Sequence, residues 1–573
     1  MAVVLLTAGG LGCDDGRNGR TAPRATARAE WFTDLAQQTG LDFVHVNGMS
    51  GERYFPEVMP PGVGLLDFDN DGDLDVYFVQ GQILGGKTAD QTLVSPPGPL
   101  QGRLFRNDLR LNADGTRTLR FVDVTAQSGI RATAYGMGVA AGDIDNDGWV
   151  DLYLTNFGSN QMYRNNHDGT FTDVSHTSGT DAVGFAVSAS FVDYDRDGWL
   201  DLYVGEYVDY RVASDRKCTD LTRTPTYCPP QVYAPLPDHL YRNNGDGTFV
   251  DVTGRALIGR QFGRALGVVA ADFNNDGWSD IYVANDGSEN LLWINQRNGT
   301  FRNDALLAGV ALTGEGHAEA SMGVDAGDFD NDGDEDLFMT ELNGEGSNLY
   351  VNNGAGAFDD RSAASGLGAA SLQVTGFGTA WTDFDNDSWL DVMSVNGRVQ
   401  AAEGAAAALF PMNQRKLLFR NLRDGRFEEI AARAGAVFQA SDVGRGAAFG
   451  DIDNDGDEDV VVANDAGRAQ LLINTVENAG PAHHWLGIRL VGAGGRDMLG
   501  ARVQVTRKSG PSLWRRARSD GSYASANDPR VFVGLGDSLE TPRVRVQWPD
   551  GHAETWTAVP IDRWQTLVEG TAR

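Results

Sequence analysis

The chain has 573 residues, of which 41% are hydrophobic, a share that is normal for a globular protein. Its 79 acidic and 47 basic residues give a formal net charge of −32. This charge argues against nucleic acid as a partner, because phosphate binding needs basic patches. No run of 18 apolar residues occurs, so no segment is typical of a membrane-spanning helix. The acidic residues form either a highly soluble surface or clusters that hold cations.

The first 13 residues, MAVVLLTAGGLGC, are apolar and end in small residues before Cys13. This pattern is typical of a bacterial lipoprotein signal and predicts export with lipidation at Cys13; the alternative is an ordinary disordered tail. Residues 14–30 are polar and aperiodic, which predicts a flexible tether. We therefore expect an extracellular, periplasmic or outer-surface protein that contacts the membrane only through a lipid anchor.

A nine-residue acidic pattern, DFDNDGDLD in its first copy, recurs seven times, beginning at Asp67, Asp143, Asp193, Asp272, Asp328, Asp383 and Asp451. A strand of small residues precedes each copy, and an apolar run follows it. Next come a segment such as QMYRNN, a turn with Gly, and a strand of the form GTF-x-D-V. Each unit therefore predicts four strands, A to D, with the acidic loop between A and B. Seven such units predict an all-β fold, a seven-bladed β-propeller over residues 31–480.

The two ends of the repeat region indicate how this ring closes. The seventh unit has strands A, B and C but no strand D before residue 480. Residues 31–35 (WFTDL) match strand D and precede the first unit. We predict that this N-terminal strand completes the seventh blade and thereby removes two exposed sheet edges.

The acidic loop has the chemistry of a calcium site. Calcium takes six to eight oxygens from carboxylates, carbonyls and water. Positions 1, 3, 5 and 9 offer carboxylates, with the amide of Asn274 as the exception, and position 7 offers its carbonyl. The candidate ligands are Asp67, Asp69, Asp71, Asp73 and Asp75; Asp143, Asp145, Asp147, Trp149 and Asp151; Asp193, Asp195, Asp197, Trp199 and Asp201; Asp272, Asn274, Asp276, Trp278 and Asp280; Asp328, Asp330, Asp332, Asp334 and Asp336; Asp383, Asp385, Asp387, Trp389 and Asp391; and Asp451, Asp453, Asp455, Asp457 and Asp459.

We therefore expect up to seven structural calcium ions. The alternative is that Asp-Asn-Asp-Gly is only a favourable β-turn, although Asp at position 9 in all seven copies favours a ligand. The sixth loop, where Ser388 replaces Gly, is the weakest candidate, and the fourth loop should carry less negative charge.

These loops and blades resemble the FG-GAP (VCBS-type) repeats of integrin α-subunit propellers. Residues 481–573 contain WLGIRL, GARVQV, DGSYASANDP, VGLG and VQWPDG, and predict a small β domain. This part resembles an ASPIC/UnbV domain of the cartilage acidic protein-like bacterial family. The resemblance implies the propeller fold and its calcium, whereas it says little about the activity.

Long insertions at about 81–102, 207–238 and 398–415 all connect strands B and C, which places them on the face opposite the acidic loops. In the second insertion Cys218 and Cys228 predict a local disulfide; the alternative is two free thiols. Strand B ends on polar residues, which we interpret either as a ligand-binding ring or as ordinary strand ends: Gln80, Asn156, Glu206, Asn285, Glu341, Asn396 and Asn464. His45, Glu57, His317 and Glu319 lie in D–A connections on this face and offer a weaker metal or acid–base hypothesis against simple loop hydrogen bonding.

The leading hypothesis is a calcium-stabilised extracellular binding or adhesion module for an unidentified glycan or protein. An enzyme that uses the central funnel, such as a polysaccharide lyase or hydrolase, and a structural scaffold of a surface assembly remain as alternatives. The sequence contains no recognised catalytic motif, which favours a binding role over an enzyme.

Overall fold

The computed structural model of the protein describes residues 30–400, 412–476, 483–492 and 494–572. Cys13, the predicted export signal and residues 14–29 of the predicted tether lie outside these residues. The described chain is built from short β-strands with a few helical turns, which confirms the all-β fold class. None of the helices in these described ranges is long and apolar enough to cross a membrane.

Each of the seven acidic repeats, called repeats 1 to 7, forms a four-stranded antiparallel sheet of strands A, B, C and D. Strands A are Val63–Leu66, Tyr135–Gly142, Val183–Val192, Ala265–Ala271, Val324–Gly327, Gly376–Thr382 and Gly444–Gly450. Strands B are Asp75–Phe78, Asp151–Ser159, Asp201–Glu206, Asp280–Asn285, Asp336–Met339, Asp391–Asn396 and Asp459–Asn464. Strands C are Arg103–Asn107, Gln161–Asn165, His239–Asn243, Leu291–Asn295, Asn348–Asn352, Leu417–Asn421 and Gln470–Asn474. Strands D are Phe121–Asp123, Phe171–Asp173, Phe249–Asp251, Phe301–Asn303, Phe358–Asp360, Phe427–Glu429 and, for repeat 7, Phe32–Asp34.

The sheets are arranged in a closed, propeller-like ring. Each strand A contacts strand A of the next repeat, and the strand A of repeat 7 contacts that of repeat 1. The predicted N-terminal closure is present, since Phe32 pairs with Asn474 and Asp34 pairs with Leu472. Repeats 2 and 3 are joined further where Phe157 on a long strand B pairs with Phe185.

Apolar cores lie between successive sheets rather than at one central point. Tyr203 and Leu240 of repeat 3, for example, pack in one cluster with Val268 and Ile281 of repeat 4. Both faces of these strands are therefore buried, which explains their continuous apolar runs. The short helices are Ala36–Thr39, Thr125–Ser128, Ser175–Ser178, Ala305–Ala308, Ser362–Ser365, Leu367–Ser371 and Ala431–Ala434, and the 3₁₀ turns are Phe55–Val58, Ala89–Gln91, Val212–Ser214, Pro230–Val232, Ile258–Arg260 and Ala436–Phe438.

Three small hairpins lie outside the repeat sheets. They pair Arg110–Leu111 with Arg117–Thr118, Cys218–Thr219 with Pro225–Thr226, and Gln414–Arg415 with Ser441–Asp442. In the second hairpin the structure joins Cys218 and Cys228 in a disulfide.

The C-terminal part forms two small sheets around one core. A three-stranded sheet contains His484–Val491, Val531–Gly536 and Trp564–Val568, and a four-stranded sheet contains Arg502–Thr506, Leu513–Arg516, Arg543–Gln547 and Ala553–Trp556. Leu486, Val503, Val533 and Trp548 are buried in the core that the two sheets share. This agrees with the predicted small β domain.

Candidate functional site

Two positions of the acidic loop hold its own backbone in place. In repeat 2, the position 1 carboxylate of Asp143 accepts hydrogen bonds from the backbone N–H of Asp147 at 3.2 Å and of Gly148 at 2.8 Å. The position 9 carboxylate of Asp151 accepts from the N–H groups of Ile144 and Asn165. The contact from position 9 to strand C occurs in all seven repeats. Position 9 therefore has a structural role besides the predicted ligand role.

Other loop oxygens are buried without a protein partner. The Oδ1 atoms of position 3 in five repeats have no hydrogen-bond partner among the described residues: Asp69, Asp145, Asp330, Asp385 and Asp453. Four further loop carboxylates also have one buried oxygen without a hydrogen-bond partner among the described residues: Asp193, Asp328, Asp336 and Asp391. Burying a carboxylate oxygen without a partner is costly, so these atoms fit a cation.

The loop carboxylates also converge. In repeats 1, 2, 3 and 5, three carboxylates place one oxygen each within 4.8 Å of one another. Burial raises the pKa of all seven position 9 carboxyl groups well above their ordinary range. Without a cation, ionised carboxylates at such sites repel one another and lose their hydration. The donor set is oxygen-only, which suits calcium.

The loops differ in how much of their charge the protein already neutralises. In repeat 3, Arg242 pairs with Asp195 at 2.7 Å and with Asp197. In repeat 6, Arg420 and Arg423 pair with the carboxylates at positions 3 and 5. Loop 6 also holds Ser388 at a φ of 78°, in the left-handed region that the other loops fill with Gly. These features weaken loops 3 and 6 as cation sites.

Position 4 links each loop to the next one. These side chains have φ between 55° and 62°, where Asn is favoured, and each donates to the following loop or its adjoining turn: Asn70, Asn146, Arg196, Asn275, Asn331, Asn386 and Asn454. The last of them donates to the Gly72 carbonyl of repeat 1, which closes the circle.

A second circle of hydrogen bonds runs through strand C. The last residue of each strand C is a buried Asn that donates to the position 2 carbonyl of the preceding repeat, over 2.8 to 3.1 Å: Asn107, Asn165, Asn243, Asn295, Asn352, Asn421 and Asn474. Sequence reasoning missed both circles, although Asn at position 4 and the RNN or IN ending of strand C recur visibly.

The C-terminal domain covers the loop face of the ring. Its Arg496 donates to the Asn146 side chain at 2.9 Å, and Arg502 donates to the Asn275 side chain at 2.9 Å. Arg530 likewise donates to Asn454, while the Trp564 indole donates to Asp451 at 2.9 Å. The loops therefore form an interdomain interface that is rich in arginine–loop contacts.

Residues 519–528 of the C-terminal domain, called the plug, enter the centre of the ring. Every strand A hydrogen-bonds to the plug, through Leu65, Val139, Ser190, Ala270, Val324, Thr379 and Phe449 in repeat order. Tyr523 is fully buried, and its hydroxyl donates to the Met59 carbonyl at 3.0 Å. A Cβ on Gly62 would lie 1.8 Å from the Ala524 carbonyl oxygen, so Gly is required there. The plug fills the channel that a funnel-type enzyme would use.

The polar residues at the ends of strands B, interpreted from the sequence either as a ligand-binding ring or as ordinary strand ends, are not exposed. All seven side chains are buried, with at most 6% exposure: Gln80, Asn156, Glu206, Asn285, Glu341, Asn396 and Asn464. They bind nearby protein groups instead of facing solvent. Gln80, for example, accepts from the Val46 N–H at 2.7 Å, and Asn285 donates to the Glu289 carbonyl at 2.8 Å. They terminate the strands and organise the loops, which is the alternative interpretation.

The four residues of the D–A connections make separate contacts. His45 is buried beside Asp465, with 3.3 Å between Nδ1 and Oδ1. Glu57 accepts a hydrogen bond from the Tyr227 hydroxyl at 2.8 Å, and Glu319 accepts one from Asn348. His317 is exposed. These contacts do not assemble the four side chains into one metal or acid–base site.

Comparison with known proteins supports this reading of the repeats. The sequence model of the FG-GAP-like repeat matches residues 143–204, 233–283, 272–339, 328–394 and 408–462, and that of ASPIC and UnbV matches residues 492–573. Cartilage acidic protein 1 of Mus musculus is 30% identical over 303 residues, which cover 52% of this chain and 44% of that protein. The Homo sapiens protein of the same name is 29% identical, covering 52% and 43%.

The chain thus spans less than half the length of these relatives. Among solved structures, the BP39L lectin from Burkholderia pseudomallei aligns with 73% of this chain and 96% of its own, with a TM-score of 0.41 and 11% identity. The repeat and domain matches confirm the resemblance found in the sequence. The chain thus combines FG-GAP-like repeats with a C-terminal ASPIC and UnbV domain.

Proposed function

We propose that the protein is an extracellular or cell-surface binding module, in which calcium in the acidic loops stabilises the ring and the opposite face binds ligand. The observation that carries the calcium proposal is the set of buried loop oxygens that lack any partner among the described residues. A bound divalent cation would satisfy these oxygens and remove the repulsion between them. Loops 1, 5 and 7 have the most acidic composition, because Asp occupies their position 7.

Calcium in the loops would also support the interface with the C-terminal domain. The arginines of that domain contact position 4 side chains and loop carbonyls, which keep their positions only while the loop keeps its shape. Loss of calcium would therefore loosen both the loops and the docking of the plug. The proposed calcium would thus lie on the structural side of the molecule, away from the proposed ligand face.

The ligand face is proposed to be the one that carries the B–C insertions. The loop face is occupied by the C-terminal domain, whereas the insertion face bears a pocket of about 410 Å³ over the centre of the ring. Loops on a rigid scaffold commonly carry binding sites. FG-GAP-like repeats together with an ASPIC and UnbV domain favour an extracellular, adhesion-like role for this face.

Thermal unfolding of the purified protein tests the calcium proposal. We expect excess EGTA to lower the unfolding midpoint by more than about ten degrees, because several saturated sites each add binding free energy to folding. Calcium, but not magnesium, should restore the midpoint, and elemental analysis should find calcium in the untreated protein.

A matched pair of variants connects this effect to the loops. Asp330→Asn changes the position 3 carboxylate of loop 5, whose Oδ1 has no partner among the described residues, whereas Asp359→Asn changes an exposed carboxylate on strand D of the same repeat. Only the first should reduce the calcium response. An unchanged midpoint in EGTA, with no metal in the protein, would leave the loops as turns only.

A further inference from the structure

The pocket on the insertion face adjoins the plug. Its floor contains Val58, Met59 and Met322, and the Met59 carbonyl accepts the hydrogen bond from Tyr523. Tyr207 and Tyr227 line its wall. A ligand in this pocket therefore meets an apolar floor of aliphatic and thioether side chains.

Two carboxylates line the same pocket. Asp286 accepts a hydrogen bond from the Tyr207 hydroxyl through Oδ2, and Glu345 accepts from the N–H groups of Ala320 and Leu342 through Oε2. Within the described part of the chain, Oδ1 of Asp286 and Oε1 of Glu345 receive no hydrogen bond. Each carboxylate thus keeps one oxygen for a ligand.

Two more acidic side chains, Glu341 and Glu319, lie close to Glu345. Glu341 is 2% exposed, and its Oε2 has no partner among the described residues. Its pKa lies well above the ordinary range, because burial and then the charges of Glu319 and Glu345 oppose its ionisation. In the described ranges, none of these four acidic side chains forms an ion pair with a basic side chain within 4.0 Å. Arg398 lines the pocket as well, but it donates to Asn343 instead.

We propose that the pocket binds the primary ammonium group of an organic ligand, with the hydrocarbon stem on the apolar floor. An ammonium has three donors and no acceptor, which matches two carboxylate oxygens that lack donors. Calcium fits poorly, because it takes six to eight oxygens and these two carboxylates offer one each. A lysine-like side chain combines a flexible apolar stem with this head group. This inference rests on the proposed role of the insertion face.

Calorimetric titration of the calcium-loaded full chain with three probes of equal length tests the proposal. Pentylammonium should bind at least tenfold more tightly than pentanol or pentanoate, because only the cation pairs with the carboxylates. Nα-acetyl-lysine methylamide, which keeps its side-chain ammonium, distinguishes the sources of the amine. If it binds, the ligand is a lysine displayed on a protein. If pentylammonium binds and this probe does not, the ligand is a free amine.

Charge-removing variants test whether the carboxylates attract the ammonium group and whether Arg398 repels it. Glu345→Gln and Asp286→Asn should each weaken pentylammonium binding about tenfold. Arg398→Gln should strengthen it severalfold, since it removes a like charge from the pocket. Glu315→Gln, which alters an exposed carboxylate nearby, is the control and should change nothing. If Asp286→Asn fails to fold, Glu345→Gln and Arg398→Gln still decide the question.

Equal binding of pentanol, or weaker pentylammonium binding by Arg398→Gln, would overturn the ammonium proposal. The same samples report their calcium response in a thermal scan. A calcium-responsive protein that ignores the amine contradicts this inference alone. A protein that binds the amine but shows no calcium response contradicts the calcium proposal alone.

Discussion

On the loop face, the repeats make the same contacts between neighbours with nearly the same side chains, whereas on the insertion face the repeats differ in length and content. The loop face joins its repeats through two circles of hydrogen bonds and is covered by the C-terminal domain. The insertion face holds a disulfide hairpin, an aromatic cluster and an open pocket. Repetition here marks the parts that maintain the fold, and the irregular parts offer room for a ligand.

The plug connects the two faces and gives the largest expected effect of a single substitution. Tyr523→Ala removes a fully buried ring that packs on Phe377, and should cost about 3–5 kcal/mol of unfolding free energy. Tyr523→Phe keeps the ring and loses only the hydrogen bond to Met59, so it should cost about 1 kcal/mol.

Denaturant unfolding of both variants, monitored by tryptophan fluorescence, measures the difference. Equal and small losses would show that the plug lies in the channel without stabilising the ring. Two separate transitions in Tyr523→Ala would show instead that the plug couples the domains.

How far the sequence predicted this architecture depends on the range of each contact. The strands and the closure by Phe32–Asp34 followed from local patterns and from one missing strand. The circle through strand C did not, because Asn165 binds the Phe68 carbonyl, 97 residues away. In the sequence the plug is visible only as a family motif, and its partners are the small residues of strands A, whose role becomes evident only when the ring is assembled. The sequence leaves two interpretations of the strand B ends open, because polarity alone does not distinguish a buried loop contact from an exposed one.

On the insertion face, Glu57 makes stability depend on pH. Burial raises the pKa of its carboxyl group from 4.5 to about 7. The folded protein therefore binds this proton more tightly than the unfolded chain does. The stabilisation is complete below about pH 4.5 and is lost as the pH rises through 7, for a total of about 3 kcal/mol.

Glu57→Gln keeps the acceptor for the Tyr227 hydroxyl but cannot ionise. Its unfolding free energy should match the wild-type value near pH 4.5 and exceed it by up to about 3 kcal/mol near pH 8. Glu315→Gln, at an exposed carboxylate on the same face, is the control. A constant difference between variant and wild type at all pH values would contradict the raised pKa.

Two amide-to-alanine substitutions test the circle of hydrogen bonds through strand C. Asn295→Ala leaves the buried carbonyl of Tyr194 without its donor and should cost about 1–3 kcal/mol. Gln127→Ala changes an exposed amide on a helix and should cost less than about 0.5 kcal/mol. Equal losses of unfolding free energy in the two variants would mean that water replaces these hydrogen bonds and that the circle does not stabilise the ring.

The disulfide of the insertion face should have the smallest global effect. Cys218 and Cys228 close a short hairpin on the insertion face, outside the repeat sheets, so the hairpin can open without separating those sheets. The double variant Cys218→Ser/Cys228→Ser should therefore move the unfolding midpoint by less than about 2 °C. Tryptic cleavage after the exposed Arg223 should become faster, since the hairpin is no longer tied at its base. A drop in midpoint as large as that of Asn295→Ala would show that the insertions also hold the ring together, and the two faces would then differ in ligand access but not in structural role.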